Sequence, residues 1–431
     1  MTASGGRQKV HIVTMGCSKN VVDSEKLMAQ LRLNDFELAD SIEQADIAVI
    51  NTCGFIEAAK EESIDAIVDT VRRKGKGELR KVYAVGCLTE RYRTALAKEL
   101  PEVDAFFGSN DPGSLLRELG AEEKKELLGE RVLTTPPHYA YMKISEGCDR
   151  PCSFCAIPSM RGRHVSRPMD EIVREAEVLA ARGVKELMVI GQDTTMYGLD
   201  LYGDRRLGLL LGRLADIPGI AWVRLLYAYP SHFPLDVAEV IAGHPRICKY
   251  LDIPVQHVAD RVLQSMRRGI TRRAMLNLLE TITTKVPGIA LRTTLIVGYP
   301  EEGEAEFREL LGFVKAARFA RLGVFGYSQE EGTAASALGD PIPQAEKERR
   351  RAAIMEAQRE ISRERNEQSI GTRRRVLIDR EEGGFLVGRT EHDAPEIDNE
   401  VFVTPNGVSA PGDFLDVEIT DATEYDLYGR A

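Results

Sequence analysis

The sequence contains no uninterrupted apolar run near the ~18 residues that a helical membrane span requires. Residues 1–10 are polar and lack the apolar core of a secretory leader, so the cytoplasm is the expected compartment. There is no low-complexity tract and no sequence-level repeat. Cysteine is scarce and odd in number, with seven in 431 residues. An odd count in a long cytosolic chain argues against a disulfide framework and leaves metal ligation or catalysis. Lysine is absent from residues 366–431, which carry six Arg against fifteen Asp and Glu, a net −9. Only −1 of the total −10 is left for the other 365 residues. A chain of this charge does not meet nucleic acid with its whole surface. The imbalance reads either as a solvated acidic face or as a docking surface for a basic partner.

What is present suffices for a large core: 43% of residues are apolar and 29% charged. The first segment alternates apolar runs, at 9–16, 45–52, 81–86 and 103–110, with amphipathic stretches at 23–33, 56–71, 90–100 and 112–119. This pattern predicts buried parallel strands in a doubly wound α/β sheet. The polar stretch 121–131 and Pro136–Pro137 mark its end. Strand candidates then recur at 140–145, 186–191, 222–228, 250–253, Ala290–Val297 and 322–327, with helical patterns such as Met169–Ala181 and 304–319 between them. In the second of these, Phe307, Leu311 and Val314 form an inward stripe. Six β/α units are too few for a closed eight-fold barrel, so a partial (β/α)6 barrel is expected. A charged bracing helix follows at Gln344–Glu367. Beyond it, short β-like runs separated by Gly383–Gly384, Asn406–Gly407 and Pro411–Gly412 predict a small all-β barrel. The expected domains are 8–122, 134–365 and 366–431.

Cys148, Cys152 and Cys155, spaced C-x3-C-x2-C, lie just after the first barrel strand. Three thiolates in one short loop can hold three irons of a four-iron cluster and leave the fourth without a protein ligand. The amino and carboxylate groups of S-adenosylmethionine can chelate that iron, and one-electron reduction then yields a 5′-deoxyadenosyl radical. A structural zinc site would want a fourth ligand, usually from a second Cys/His pair. Phe154, inside the motif, is an apolar shield for such a cluster. Cys17, Cys53 and Cys87 look unrelated by spacing, yet each ends a predicted parallel strand and precedes a predicted helix. Such strand ends share one sheet edge, where ligands bind. Gly16, Gly54 and Gly86 adjoin them and permit tight turns. Three buried core thiols are the plainer alternative. Cys248 has no comparable partners and reads as a core thiol ahead of the fourth barrel strand.

Gln192 and Asp193 end the second barrel strand, where active-site groups sit, and are candidates for the amino group of S-adenosylmethionine. Asp193 would equally suit a helix N-cap. Lys143, Arg161 and Arg163 flank the cysteine loop and read either as cofactor contacts or as surface cations. Gly298, in LIVGYPEEGE, would let adenine approach the backbone, although a plain turn explains it as well. His257, following Gln256, has no named role.

These residues resemble the methylthiotransferase family of radical S-adenosylmethionine enzymes over nearly the whole chain. TMGCSKNVVDSE, NTCGF and AVGC resemble its N-terminal domain, GCDRPCSFCAIPSMRGRHVSR its radical core, and the segment from Thr372 its C-terminal TRAM domain. GCSKNVVDSE and GRTEHDAPEIDN are closest to the members that modify a small-subunit ribosomal protein; another branch modifies a tRNA adenosine. The resemblance implies two 4Fe–4S clusters, an auxiliary one on Cys17, Cys53 and Cys87 and a radical one on Cys148, Cys152 and Cys155. It also implies S-adenosylmethionine, an electron donor, a sulfide source and, as substrate, an aspartate of ribosomal protein uS-twelve. In GYPEEGE the family often shows a glycine in place of Glu302 or nearby, a departure that touches only the adenosine contact. The acidic, lysine-free C-terminus favours a basic ribosomal protein over tRNA. The rivals are a tRNA methylthiotransferase and a non-catalytic zinc-dependent binding protein.

Overall fold

The computed structural model describes residues 7–124, 130–405, 407 and 409–431. Part of the expected linker 121–131, Asn406 of the expected turn and the first six residues lie outside them. The N-terminal unit runs β1 (Lys9–Thr14), α1 (Ser18–Leu33), β2 (Glu37–Leu38), β3 (Ile47–Thr52), α2 (Glu57–Gly75), β4 (Lys81–Gly86), α3 (Cys87–Glu99), β5 (Ala105–Phe106) and α4 (Pro112–Glu118). The sheet order is β2-β1-β3-β4-β5, with every pairing parallel. This is a doubly wound order whose switch point falls between β1 and β3. Every residue of IAVINT in β3 is buried, as a strand covered on both faces requires. The two-residue β2 has no apolar run to announce it in the sequence.

The middle unit opens with β6 (Tyr139–Lys143), the β7 (Ser145–Glu146)/β8 (Val165–Ser166) hairpin around α5 (Ile157–Arg161), and α6 (Met169–Ala181). It continues with β9 (Glu186–Ile190), α7 (Leu199–Tyr202), α8 (Leu207–Ala215), β10 (Trp222–Leu225), α9 (Leu235–Gly243) and β11 (Ile247–Asp252). Then come α10 (Asp260–Ser265), α11 (Arg272–Lys285), β12 (Ala290–Val297), α12 (Glu304–Ala317), β13 (Arg321–Gly326) and α13 (Gln344–Glu367). The sheet is six-stranded, ordered β6-β9-β10-β11-β12-β13, and open. One face carries Ala140, Leu187, Val223 and Leu291 into a core with the surrounding helices. The opposite face presents Tyr139, Tyr141, Trp222 and Tyr250. Cys248 is inside β11 rather than ahead of it, is 1% exposed on this second face, and is a core thiol pushed up to about 12 by burial.

The C-terminal unit, β14 (Arg373–Glu382), β15 (Phe385–Thr390), β16 (Val401–Thr404), β17 (Phe414–Ala422) and β18 (Leu427–Arg430), closes into a five-stranded barrel. Its segment around residues 389–398 packs against residues near the N-terminal ends of the barrel strands, among them Tyr139, Glu186 and Arg321. There Arg224 donates to Glu186 and to the Glu391 carbonyl, Arg292 pairs with Asp398, and Arg321 with Asp393. Tyr250 donates to Asp398 at 2.7 Å. Several of the acids behind the −9 imbalance are therefore consumed inside the molecule, neutralising arginines that line the partial barrel. That corrects the expectation of a wholly outward acidic face.

Candidate metal centre

Cys17 sits at the N-cap of α1, Cys53 follows β3, and Cys87 opens α3. The turns that bring them together depend on glycine. Gly16 has φ +87°, and a Cβ there would stand 2.7 Å from the Cys53 Cβ and 3.0 Å from its sulfur. A Cβ on Gly54 would stand 2.7 Å from the Leu88 Cα and 2.9 Å from the Cys87 carbonyl carbon. The three loops thus touch one another at the C-terminal edge of the sheet, beside the switch point.

Cys148, Cys152 and Cys155 lie on the loop between β7 and α5. The Cys148 amide donates to the Gly162 carbonyl at 3.1 Å, which folds the loop back on itself. Arg268 donates to the Cys152 sulfur at 3.3 Å, and the Tyr229 hydroxyl lies 3.6 Å from the same sulfur. Arg150 and Arg268 stack on the Tyr229 ring at 4.0 and 4.2 Å. Phe154 packs with Val262, Met266, Tyr299 and Tyr327.

The two trios are contiguous. Cys87 packs against Ala156, the residue after Cys155, and against Met160 of α5. Arg161, at the end of α5 and 4% exposed, donates to the Cys87 sulfur at 3.1 Å, to Asp23 at 2.7 Å and to Asn20 at 2.5 Å. Lys143, also buried, pairs with Asp23 and with Glu146. Burial pushes the Asp23 carboxyl up, but Lys143 and Arg161 outweigh it and hold the group at about 2. Burial also raises the cysteines: Cys53 in direction, Cys87 and Cys148 to about 11, and Cys155 to about 12. Cys17 differs. Burial raises it, yet Lys19, the Asn20 amide and Arg161 bring it below the ordinary thiol value.

Among the described residues, no group of three or more His, Cys, Asp or Glu closes around a single metal ion. A four-iron cluster makes no such demand, because each thiolate binds a different iron. Two all-thiol trios, Cys53, Cys87 and Cys148 buried and Cys17, Cys152 and Cys155 half-buried, fit that donor chemistry.

The other expected site residues divide. Gln192 donates to Glu146 at 2.5 Å, and its carbonyl oxygen is buried with no partner, a free acceptor beside the cysteine loop. Both Asp193 oxygens are engaged: one accepts from the Thr195 amide and hydroxyl, capping a short helical turn, and the other from Arg150 at 2.6 Å. The Arg163 side chain is 92% exposed and pairs with Asp149 at 3.5 Å. The inward cation of this loop is Arg161, because Gly162 at φ +74° turns the chain between the two. Lys143 and Arg161 are thus not surface cations. Gly298 has φ +73°, and a Cβ there would meet the aliphatic stem of Lys347. His257 is fully buried, 3.4 Å from Glu302. Sequence reasoning missed Asp23, Tyr229 and Arg268, whose positions follow only from the fold.

Residues 9–108 match Uncharacterized protein family UPF0004, residues 142–314 the Radical SAM superfamily, and residues 370–431 the TRAM domain. Ribosomal protein uS12 methylthiotransferase RimO of Cytophaga hutchinsonii is 54% identical over 434 residues, spanning 100% of this chain and 99% of its own. The protein of the same name in Christiangramia forsetii is 52% identical over 430 residues, spanning 100% and 95%. The solved structure of TsrM, a radical S-adenosylmethionine methyltransferase from Kitasatospora setae, aligns with TM-score 0.56 at 15% identity over 94% of this chain and 84% of that one. At that identity it speaks for the fold alone. No helix among the described residues is long and apolar enough to cross a membrane. Identity above half over the full length decides membership: the chain belongs to the RimO family of methylthiotransferases, within the radical S-adenosylmethionine superfamily.

Proposed function

We propose that the protein methylthiolates the β-carbon of an aspartate in ribosomal protein uS12, using two 4Fe–4S clusters and S-adenosylmethionine in the cytoplasm. Cys148, Cys152 and Cys155 hold the radical cluster; Cys17, Cys53 and Cys87 hold the auxiliary cluster. The carrying observation is the contiguity of the trios through Cys87, Ala156, Met160 and Arg161. When bound, one cluster with S-adenosylmethionine supplies a radical able to take hydrogen from an unactivated carbon, and the other supplies the sulfur.

The chain's own residues do the rest. Gln192 offers its unpartnered carbonyl oxygen to the ammonium of S-adenosylmethionine. The Arg150–Asp193 pair and the Tyr229 ring fix the wall beside Cys152. The site divides between domains 8–122 and 134–365, with α13 bracing the second through contacts with α12 and β13. Domain 366–431 packs against the N-terminal ends of the barrel strands and offers Glu381 and Asp416, exposed and without an ion pair among the described residues, to a basic substrate. An electron donor and a sulfide source complete the reaction. Full-length identity to proteins named for uS12 favours that substrate over a tRNA adenosine.

Intact-mass measurement of uS12 incubated with the reconstituted enzyme, a reductant, sulfide and S-adenosylmethionine tests the proposal. A single methylthio increment on one aspartate is expected. Unmodified uS12 alongside methylthiolated tRNA would transfer the assignment to the tRNA branch.

A further inference from the structure

Lys19 is 7% exposed, and its ammonium lies 3.3 Å from the centre of the Tyr227 ring. Among the described residues it forms no ion pair. Its cationic neighbours differ: Lys143 and Arg161 share Asp23, and Arg150 holds Asp193. A buried ammonium without a carboxylate is unfavourable, and a ring face compensates only part of that. The arrangement is held in place at some cost. Tyr227 has φ +59°, a left-handed conformation strained for a bulky residue. Its amide donates to Asp252 at 3.0 Å, and its carbonyl accepts from the Thr194 amide at 3.1 Å.

The location is specific. Lys19 is two residues beyond Cys17. Tyr227 is two residues ahead of Tyr229, whose hydroxyl lies 3.6 Å from the Cys152 sulfur. This cation, without a carboxylate partner but facing the Cys17 thiol, therefore stands beside the first trio, on a ring two residues from the tyrosine that meets Cys152 of the second.

We propose that Lys19 is the specificity-determining residue that binds the carboxylate of the substrate side chain and so presents the adjoining carbon to both trios. The inference rests on the acceptor being an aspartate. The cation supplies the charge missing from the site, and the Tyr227 ring beneath it holds the ammonium in one direction. A neutral amide of the same shape would leave that charge uncompensated, so asparagine is rejected.

The test uses cluster-loaded enzyme and a uS12 loop peptide carrying either Asp or Asn at the acceptor position, with binding read by fluorescence anisotropy. Lys19→Met should weaken binding of the Asp peptide about tenfold or more, the equivalent of one charge-assisted contact. The Asn peptide should bind unmutated enzyme with a similar loss. The two losses should not multiply when combined, because both remove the same pair. Lys19→Arg should bind the Asp peptide within about threefold of the unmutated enzyme. Iron content per chain should be the same in all three proteins. Multiplying losses, or iron lost with Lys19→Met, would overturn the assignment and make Lys19 a counter-ion of the Cys17 trio. If the unmutated enzyme binds uS12 yet modifies a different residue type, the aspartate reading fails instead and takes this inference with it.

Discussion

Arg161 donates from its Nε to the Cys87 sulfur at 3.1 Å, and it belongs to the helix that begins two residues after Cys155. One side chain thus ties the second trio's loop to the first trio's third cysteine. Removing it leaves Asp23 and Glu146 to share Lys143 and takes the guanidinium donor from the Asn20 side-chain oxygen. Arg161→Ala should destabilise the protein by about 3–5 kcal/mol, the usual result of breaking a buried ion pair from one side. Denaturant unfolding of the cluster-free protein measures this. Arg161→Lys keeps the charge but not the fork, so it should recover only part of the loss.

Glu186 is fully buried between Arg224 at 2.8 Å and Arg389 at 2.8 Å, the first from the partial barrel and the second from the C-terminal barrel. Glu186→Gln leaves both guanidiniums without their shared anion. A loss of about 3–5 kcal/mol is expected, together with loosening of the C-terminal barrel. Limited proteolysis should then cut near Gly371, between α13 and β14, faster than in the unmutated protein.

His392 lies in the segment that packs against the N-terminal ends of the barrel strands. Burial, and after it the cations Arg374 and Arg321, lower its pKa to about 4 against the raising effect of Glu391 and Asp393. The folded protein therefore holds the imidazole neutral, whereas the unfolded chain protonates near 6.5. Its contribution to stability is complete above about pH 6.5 and is lost as pH falls toward 4. His392→Gln should flatten the fall in unfolding free energy across that window.

Gly16 carries the left-handed turn that lets Cys53 approach Cys17. Gly16→Ala adds a methyl 2.7 Å from the Cys53 Cβ and a backbone cost of about 1–2 kcal/mol. Iron at the first trio should fall while the second trio stays loaded, so iron per chain should drop toward half. Iron analysis alongside the unmutated protein checks this.

Most of the architecture was legible because buried parallel strands announce themselves as apolar runs. Met169–Ala181, Ala290–Val297 and Gln344–Glu367 fall on their expected bounds. The two-residue β2 and the fifth strand of the small barrel, Leu427–Arg430, were missed because neither carries enough alternation to stand out. The convergence of Cys17, Cys53 and Cys87 was readable from their equivalent places after strands, with glycine beside each. The cations were not. Lys143, Arg161 and Arg163 look alike in sequence, and only the turn at Gly162 separates the inward Arg161 from the exposed Arg163. The acids of the C-terminal unit misled for a related reason. Their partners, Arg224, Arg292 and Arg321, lie far away in sequence, so composition counted as surface charge what the fold neutralises inside.

The central claim is that two sulfur trios do different work in one site. It is tested most directly in a protein carrying Cys17→Ala, Cys53→Ala and Cys87→Ala together, reconstituted without oxygen and compared with the unmutated chain. Iron should fall from about eight to about four per chain, 5′-deoxyadenosine should still form from S-adenosylmethionine, and uS12 should gain no methylthio group. Full methylthiolation of uS12 by that protein would contradict the account.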